Sequence, residues 1–145
     1  MKSLIIFDSN FGNTKRLAEA VARTFGKNSR AVNVNDVTDA MIDAADTIVI
    51  GSPINIWMPS FKTMSLLWKI GKNRLQGKRV AAFDTRYSRQ TAGNAAGLIA
   101  ESLVKRGGTL AAPPQRFYVV DMIGPLKDGE LSRAESWAKG MLQEA

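Results

Sequence analysis

The sequence predicts an α/β fold: a three-layer α/β/α sandwich around a five-stranded parallel sheet of order 2-1-3-4-5. Three observations predict it. Five short apolar runs alternate along the 145 residues with stretches of helical period, the pattern of strands joined by crossover helices. Four of those runs are continuously apolar, as strands covered on both faces are. The remaining run, the second, alternates apolar and polar residues and belongs at a sheet edge.

The first run, Leu4-Ile5-Ile6-Phe7, ends in the polar turn Ser9-Asn10-Phe11-Gly12-Asn13-Thr14. Leu17, Ala18, Val21, Ala22 and Phe25 then form one helical stripe that stops at Gly26. The alternating run is Ala31–Asn35, and Thr38–Ala45 reads as a short helix. The third run, Thr47–Ile50, leads through a proline-bearing loop to a stripe of Phe61, Met64, Leu67 and Trp68. The fourth run is Val80–Phe83, followed by a polar loop and a helix carrying Ala95, Leu98, Ile99, Ser102 and Leu103. Gly71 and Gly107-Gly108 sit where these two helices should stop. The fifth run is Phe117–Val120, and Leu131, Ala134, Ala138, Met141 and Leu142 make the final stripe. With no repeat, low-complexity tract or linker in between, one domain spanning residues 1–145 is expected.

Composition narrows the chemistry. A hydrophobic fraction of 45% and a charged fraction of 23% are ordinary for a globular chain. The apolar runs are too short to span a membrane, and Met1-Lys2-Ser3 leads straight into a strand, so a cytoplasmic location is expected. Without cysteine there is no disulfide, thiolate nucleophile or thiolate metal site. Without histidine the commonest general base and metal ligand are absent as well. Difficult chemistry would have to come from a bound organic cofactor.

The net charge of +7 is concentrated at Lys69, Lys72, Arg74, Lys78 and Arg79, at Lys105-Arg106, and at Arg86 with Arg89. This pattern suits either a solvated basic surface or the attraction of acidic partners. Aromatic residues do not interleave with these charges as a single-strand binding surface requires, so nucleic acid is not an expected partner.

In the 2-1-3-4-5 order a crevice opens between strands 1 and 3 at their carboxyl ends, lined by the loops after strands 1, 3 and 4. The loop Ser9–Thr14 offers two hydroxyls, an amide and a glycine at a helix start. Those are the parts of a phosphate cradle, and equally the parts of an ordinary helix cap. The loop Gly51–Pro59 is apolar and carries Trp57, and the loop Asp84–Gly93 carries Tyr87. An apolar wall beside an anion turn suits a planar, amphipathic ligand. Strand 3 ends in Gly51-Ser52 without a phosphorylatable aspartate, and no Gly-x-Gly-x-x-Gly follows strand 1. A receiver domain and a dinucleotide site are therefore disfavoured.

These residues resemble the short-chain flavodoxins of the flavodoxin-like FMN-binding family, from the first strand to the last helix. The family's first loop usually reads Thr/Ser-x-Thr-Gly-x-Thr. Ser9, Gly12, Asn13 and Thr14 match it, and Phe11 stands where a hydroxyl is usual. The Ser-x-x-Gly-Asn-Thr form is also similar to flavodoxin-like domains of diiron flavoproteins, and Gly124–Leu131 to the segment before the family's last helix.

The resemblance implies flavin mononucleotide (FMN) as cofactor, with Ser9, Asn10, Phe11, Gly12, Asn13 and Thr14 around its phosphate. Trp57 would flank the inner side of the ring and Tyr87 its outer side, with Pro53, Ile54, Asn55 and Ile56, and Asp84, Thr85, Arg86 and Gly93, as further cofactor-binding residues of the two loops. Many members have a glycine in the second loop that bonds the flavin. None lies between Pro53 and Pro59, and Asn55 is the candidate substitute because it tolerates positive φ.

The family is typically acidic, so the basic charge is the main departure. Arg86 and Arg89 beside the ring are expected to favour its anionic reduced form. An electron carrier shuttling single electrons between redox partner proteins, acidic ones here, is the expected function. A monomer or weak homodimer without a membrane anchor is the expected state. The alternatives are an FMN-dependent NAD(P)H or quinone oxidoreductase and a flavin-free basic binding module.

Overall fold

In the computed structural model, which describes residues 2–55, 58–87, 93–121 and 123–143, one sheet carries helices on both faces. The elements run β1 (Ser3–Phe7), α1 (Asn13–Phe25), β2 (Ser29–Asn33), α2 (Asp39–Ala44), β3 (Thr47–Asn55), β4 (Met58–Pro59) and α3 (Phe61–Lys69). They continue as β5 (Arg79–Tyr87), α4 (Ala95–Lys105), β6 (Thr109–Leu110), β7 (Gln115–Val119) and α5 (Glu130–Gln143). The sheet order is β2-β1-β3-β5, all parallel. The fifth position is split: β6 pairs with the start of β5 and β7 with its end. The sequence-predicted order therefore holds, with its last strand in two pieces. A further short strand, β4, folds back antiparallel on the end of β3.

Strand periodicity sorts the core into two layers. Ile5, Phe7, Val49, Ala81, Phe83 and Phe117 point to α1 and α5, where Leu17, Val21, Ala134, Trp137 and Met141 meet them. Leu4, Ile6, Ile48, Ile50, Val80 and Ala82 point the other way, to Ile42 of α2, Leu67 of α3, and Ile99 and Leu103 of α4. Phe83 lies at the heart of the first layer, its ring edge-on to Phe117 at 5.7 Å and to Trp137 at 6.0 Å.

Several boundaries differ from the sequence reading. The edge strand β2 covers Ser29–Asn33 rather than Ala31–Asn35. Residues Val34–Asp36 form a 3-10 turn instead, because the Asn33 side chain accepts a hydrogen bond from the Asn35 amide at 2.9 Å. The fifth run, read as covered on both faces, alternates in burial because β7 is itself an edge. Strands β3 and β5 both run on past their apolar stretches, with Ser52 opposite Asp84 and Pro53 opposite Thr85. Pro53, Ile54 and Asn55, and likewise Asp84 to Tyr87, are thus strand residues and not loop residues.

The α3 stripe differs most. Thr63 and Leu67 face the sheet, whereas Phe61 is 74% and Trp68 64% exposed. The helix starts where Ser60 and Thr63 bond each other: the Ser60 hydroxyl accepts from the Thr63 amide, and the two hydroxyls lie 2.8 Å apart.

The last helix is tied to β7 through Glu130. Its carboxylate accepts from the Tyr118 amide at 2.7 Å and from the Arg133 guanidinium at 2.9 and 3.0 Å. Burial opposes ionisation of Glu130, but the hydrogen bonds from Arg133 and Tyr118 outweigh it and hold its carboxyl below the ordinary 4.5. A lowered folded-state value adds stability above the unfolded value and loses it as pH falls through the folded one. Glu130→Gln is therefore expected to flatten the dependence of the urea midpoint on pH below about 4.5. An acid limb as steep as the wild type's would contradict this role.

Candidate functional site

The site begins at the end of β1. The chain leaves the sheet at Asp8, whose amide still donates to the Gly51 carbonyl at 3.2 Å. It then turns through Gly12 at φ 89°, a left-handed conformation that a side chain would strain. The Gly12 amide donates to the Ser9 hydroxyl at 2.9 Å, and the Arg16 amide donates to the Gly12 carbonyl at 3.0 Å, closing the first turn of α1. Gly12 supplies no side-chain cap, no acidic residue occupies the first turn, and Lys15 and Arg16 are exposed there. The helix N-terminus thus presents backbone donors and positive charge together, the features that an anion site requires.

Two turn residues are held from far along the chain. The Thr14 hydroxyl is buried and lies 2.9 Å from that of Thr85 on β5. The Asn13 side-chain Nδ2 donates to the Ile123 carbonyl at 2.9 Å, pinning the segment before α5 against the turn. That bond takes up one donor that the sequence reading assigned to phosphate.

A cleft of about 230 Å³ opens beside the turn. Ser9, Asn10, Phe11, Asn13 and Thr14 border it from the turn, Pro53 and Ile54 from β3, and Thr85, Arg86 and Tyr87 from β5. Phe11, 59% exposed, stands at its rim. Tyr87 is half-buried and packs against the α1–α5 core layer while lining the cleft. Val119 at the end of β7 completes the wall. Neither Thr85 as the partner of Thr14 nor Val119 as a wall is signalled by any local motif. Thr85 meets Thr14 across 71 residues of chain, and Val119 reaches the wall by pairing with Tyr87 in the sheet.

Asp84 departs from the expectation that it borders the ligand, whereas Arg86 lines the cleft with its charge already paired. Asp84 is fully buried and turned towards α4, away from the cleft. Its carboxylate accepts two hydrogen bonds from Arg86, at 2.9 and 3.1 Å, and one from the Ala96 amide in the first turn of α4, at 2.9 Å. The Arg86 guanidinium, 4% exposed, has its charge offset within this pair and does not stand free beside the cleft. Gly93, at φ 97°, precedes Asn94, whose side chain caps α4 by accepting from the Gly97 amide. Asn55 ends β3 opposite Met58. Ile56, Trp57 and Arg89 lie outside the described residues.

A wider recess of about 510 Å³ lies at the opposite, amino ends of β1 and β2, against Met41 and Ala44 of α2. Lys2, Lys27 and Arg30 line it beside Leu4, Met41 and Ala44, but it lies away from the carboxyl ends of the strands, where sheets of this order bind ligands. The smaller cleft lies at those carboxyl ends beside the start of α1, and position rather than size marks it as the candidate site. Among the described residues no helix is long and apolar enough to cross a membrane.

The chain has relatives in both sequence and structure. It is 32% identical over 95 residues to a flavodoxin of Aquifex aeolicus, an alignment covering 58% of this chain and 49% of that protein. The chain thus spans about half the length of that curated relative. Solved structures share its fold end to end. A flavodoxin from the domain Archaea superposes with a TM-score of 0.81 at 24% identity, covering 99% of this chain and 98% of that one. Flavodoxin 2 of Bacillus cereus does so with 0.86 at 20% identity, covering all of both chains. Rubredoxin oxygen:oxidoreductase of Desulfovibrio gigas matches with 0.81 at 20% identity, covering 99% of this chain and 35% of that longer one. Residues 4–105, from the first strand through α4, match the flavodoxin domain. The chain belongs to the flavodoxin domain family, whose members bind FMN.

Proposed function

We propose that this protein is an FMN-carrying electron-transfer protein that passes single electrons between redox partner proteins, acidic ones among them. The observation that carries the reading is the start of α1 beside the cleft: a left-handed Gly12, no side-chain cap, no acid, and two exposed cations, Lys15 and Arg16, in the first helical turn. These residues fit a phosphate dianion. Pro53, Ile54, Tyr87 and Val119 offer the apolar walls that a flavin ring requires.

FMN, when bound, supplies the reversible redox chemistry. The turn amides and Lys15 and Arg16 hold the phosphate end. The Thr14–Thr85 bond fixes α1 against β5, so that the phosphate turn and the ring walls keep one spacing. Arg86, already paired with Asp84, leaves the ring's charge to be set by other groups.

Titration with FMN and with riboflavin, which lacks the phosphate, tests the site. The wild type is expected to take up FMN and to bind riboflavin more weakly. Lys15→Glu/Arg16→Glu is expected to weaken FMN by roughly tenfold while leaving riboflavin unchanged. Failure to take up FMN overturns the reading, and an equal loss for both ligands overturns the placement of the phosphate.

A further inference from the structure

The recess at the amino ends of β1 and β2 is not accounted for by the cleft. The two strands pair with Leu4 opposite Arg30 and Ile6 opposite Val32, so these four side chains project from the sheet face that carries α2. Ile6 and Val32 are buried there, whereas Arg30, one row nearer the amino ends, is exposed. A helix of six residues, about 9 Å long, leaves that row incompletely covered. The space that remains is about 510 Å³, with Leu4, Met41 and Ala44 as apolar lining and Lys2, Lys27 and Arg30 beside them.

Charge in this recess has one sign. The described residues that line it include three cations and no carboxylate. Lys2, Lys27 and Arg30 are exposed, and none of their side chains forms an ion pair or hydrogen bond among the described residues. The Asp46 carboxylate accepts from the Lys2 backbone amide at 2.9 Å, which offsets part of the charge on that side and leaves Lys27 and Arg30 unpaired. The carbonyls at the end of α2, which would repel an anion, are occupied. Lys78 Nζ donates to that of Asp43 at 3.0 Å and to that of Ala45 at 2.6 Å.

The chemistry of the lining selects the occupant. None of the large apolar side chains left exposed among the described residues lines the recess, so a protein interface or a membrane surface would find no anchor. No aromatic side chain lines it, so a nucleotide base would have nothing to stack on. A second copy seated face to face would bring like charges together. The volume falls within the roughly 300–1,000 Å³ of small-molecule sites.

We propose that this recess binds an aliphatic anion, its chain lying over Leu4, Met41 and Ala44 and its carboxylate or phosphate head meeting Lys2, Lys27 and Arg30. The planar guanidinium of Arg30 can pair with either head through two hydrogen bonds, and the stems of the three cations extend the apolar wall. The proposal stands apart from the flavin reading, because the recess and the cleft lie at opposite ends of the sheet.

The test uses the full chain with FMN added, labelled with ¹⁵N. The probes are decanoate and decyl phosphate below their micelle concentrations. The controls are acetate, which lacks the chain, and decyltrimethylammonium, which reverses the charge. Saturable amide shifts confined to residues 2–4, 27–31 and 40–46 are expected with at least one probe and with neither control, and the tighter probe identifies the head group. Lys27→Glu/Arg30→Glu is expected to weaken binding by about tenfold or more by reversing the charge. Ala44→Trp, at an exposed position, is expected to do the same by filling the recess with the charges unchanged. Both variants leave the core intact, which their thermal midpoints check.

Shifts centred elsewhere, equal shifts with either control, or indifference to either variant overturns the proposal. So does binding to phosphatidylglycerol vesicles, abolished by Lys27→Glu/Arg30→Glu, when neither free probe binds. FMN uptake with neither probe bound sinks this inference alone, and a bound probe without FMN uptake sinks the carrier reading alone.

Discussion

Asp84→Ala is expected to lower unfolding free energy by about 3–5 kcal/mol, because it strands a buried cation. Arg86 and Asp84 are 5% and 0% exposed, so the charge left on Arg86 loses its partner inside the protein. The same change removes the acceptor of the Ala96 amide and loosens the first turn of α4. Replacing both partners with apolar residues of similar volume, as in Asp84→Leu/Arg86→Met, is expected to recover most of the loss in urea denaturation. A single variant as stable as the wild type would show that the pair carries no buried charge.

The consequence reaches the cleft, since Thr85 and Tyr87 flank Arg86 on the same strand and line the wall. FMN affinity is expected to fall with Asp84→Ala and to return in the double variant. That split separates an effect through the strand from direct contact with the ligand.

Gly51→Ala is the second large effect, with an expected loss of roughly 1–3 kcal/mol from overpacking. Gly51 faces Phe83 across the β3–β5 ladder, and a methyl group at position 51 would fall inside the Phe83 ring. The ring cannot retreat: it is fully buried and held edge-on by Phe117 and Trp137. Gly51→Ala/Phe83→Leu is expected to be more stable in denaturant than the sum of the two single losses, because the smaller side chain frees the space. Strict additivity would mean that the two side chains do not compete for it.

The turn at Ser9–Thr14 was legible because its parts are adjacent in sequence: a strand end, Gly12, and the cations of a helix start. The sheet order was legible because strand periodicity reports which faces are covered, and the alternating second run marked an edge. The extension of β5 through Asp84-Thr85-Arg86-Tyr87 was not, since a run of polar residues reads as a loop unless its partners are known. Here the partners are each other, the Ala96 amide and Thr14. For Phe61 and Trp68, helical spacing predicted burial, yet periodicity reports only that two residues share a face. It does not report whether another element covers that face.

The amino-acid sequence by itself determined the α/β alternation, the strand order and the polar turn that opens α1. Each depends on spacings and caps within a few residues of chain. Tertiary structure alone decided that Arg86 is neutralised by Asp84, that Asn13 is committed to Ile123, and that the α3 aromatic pair is left outside. Those outcomes depend on what the fold places opposite each side chain. Burial and charge pairing are properties of that placement, and local sequence does not encode it.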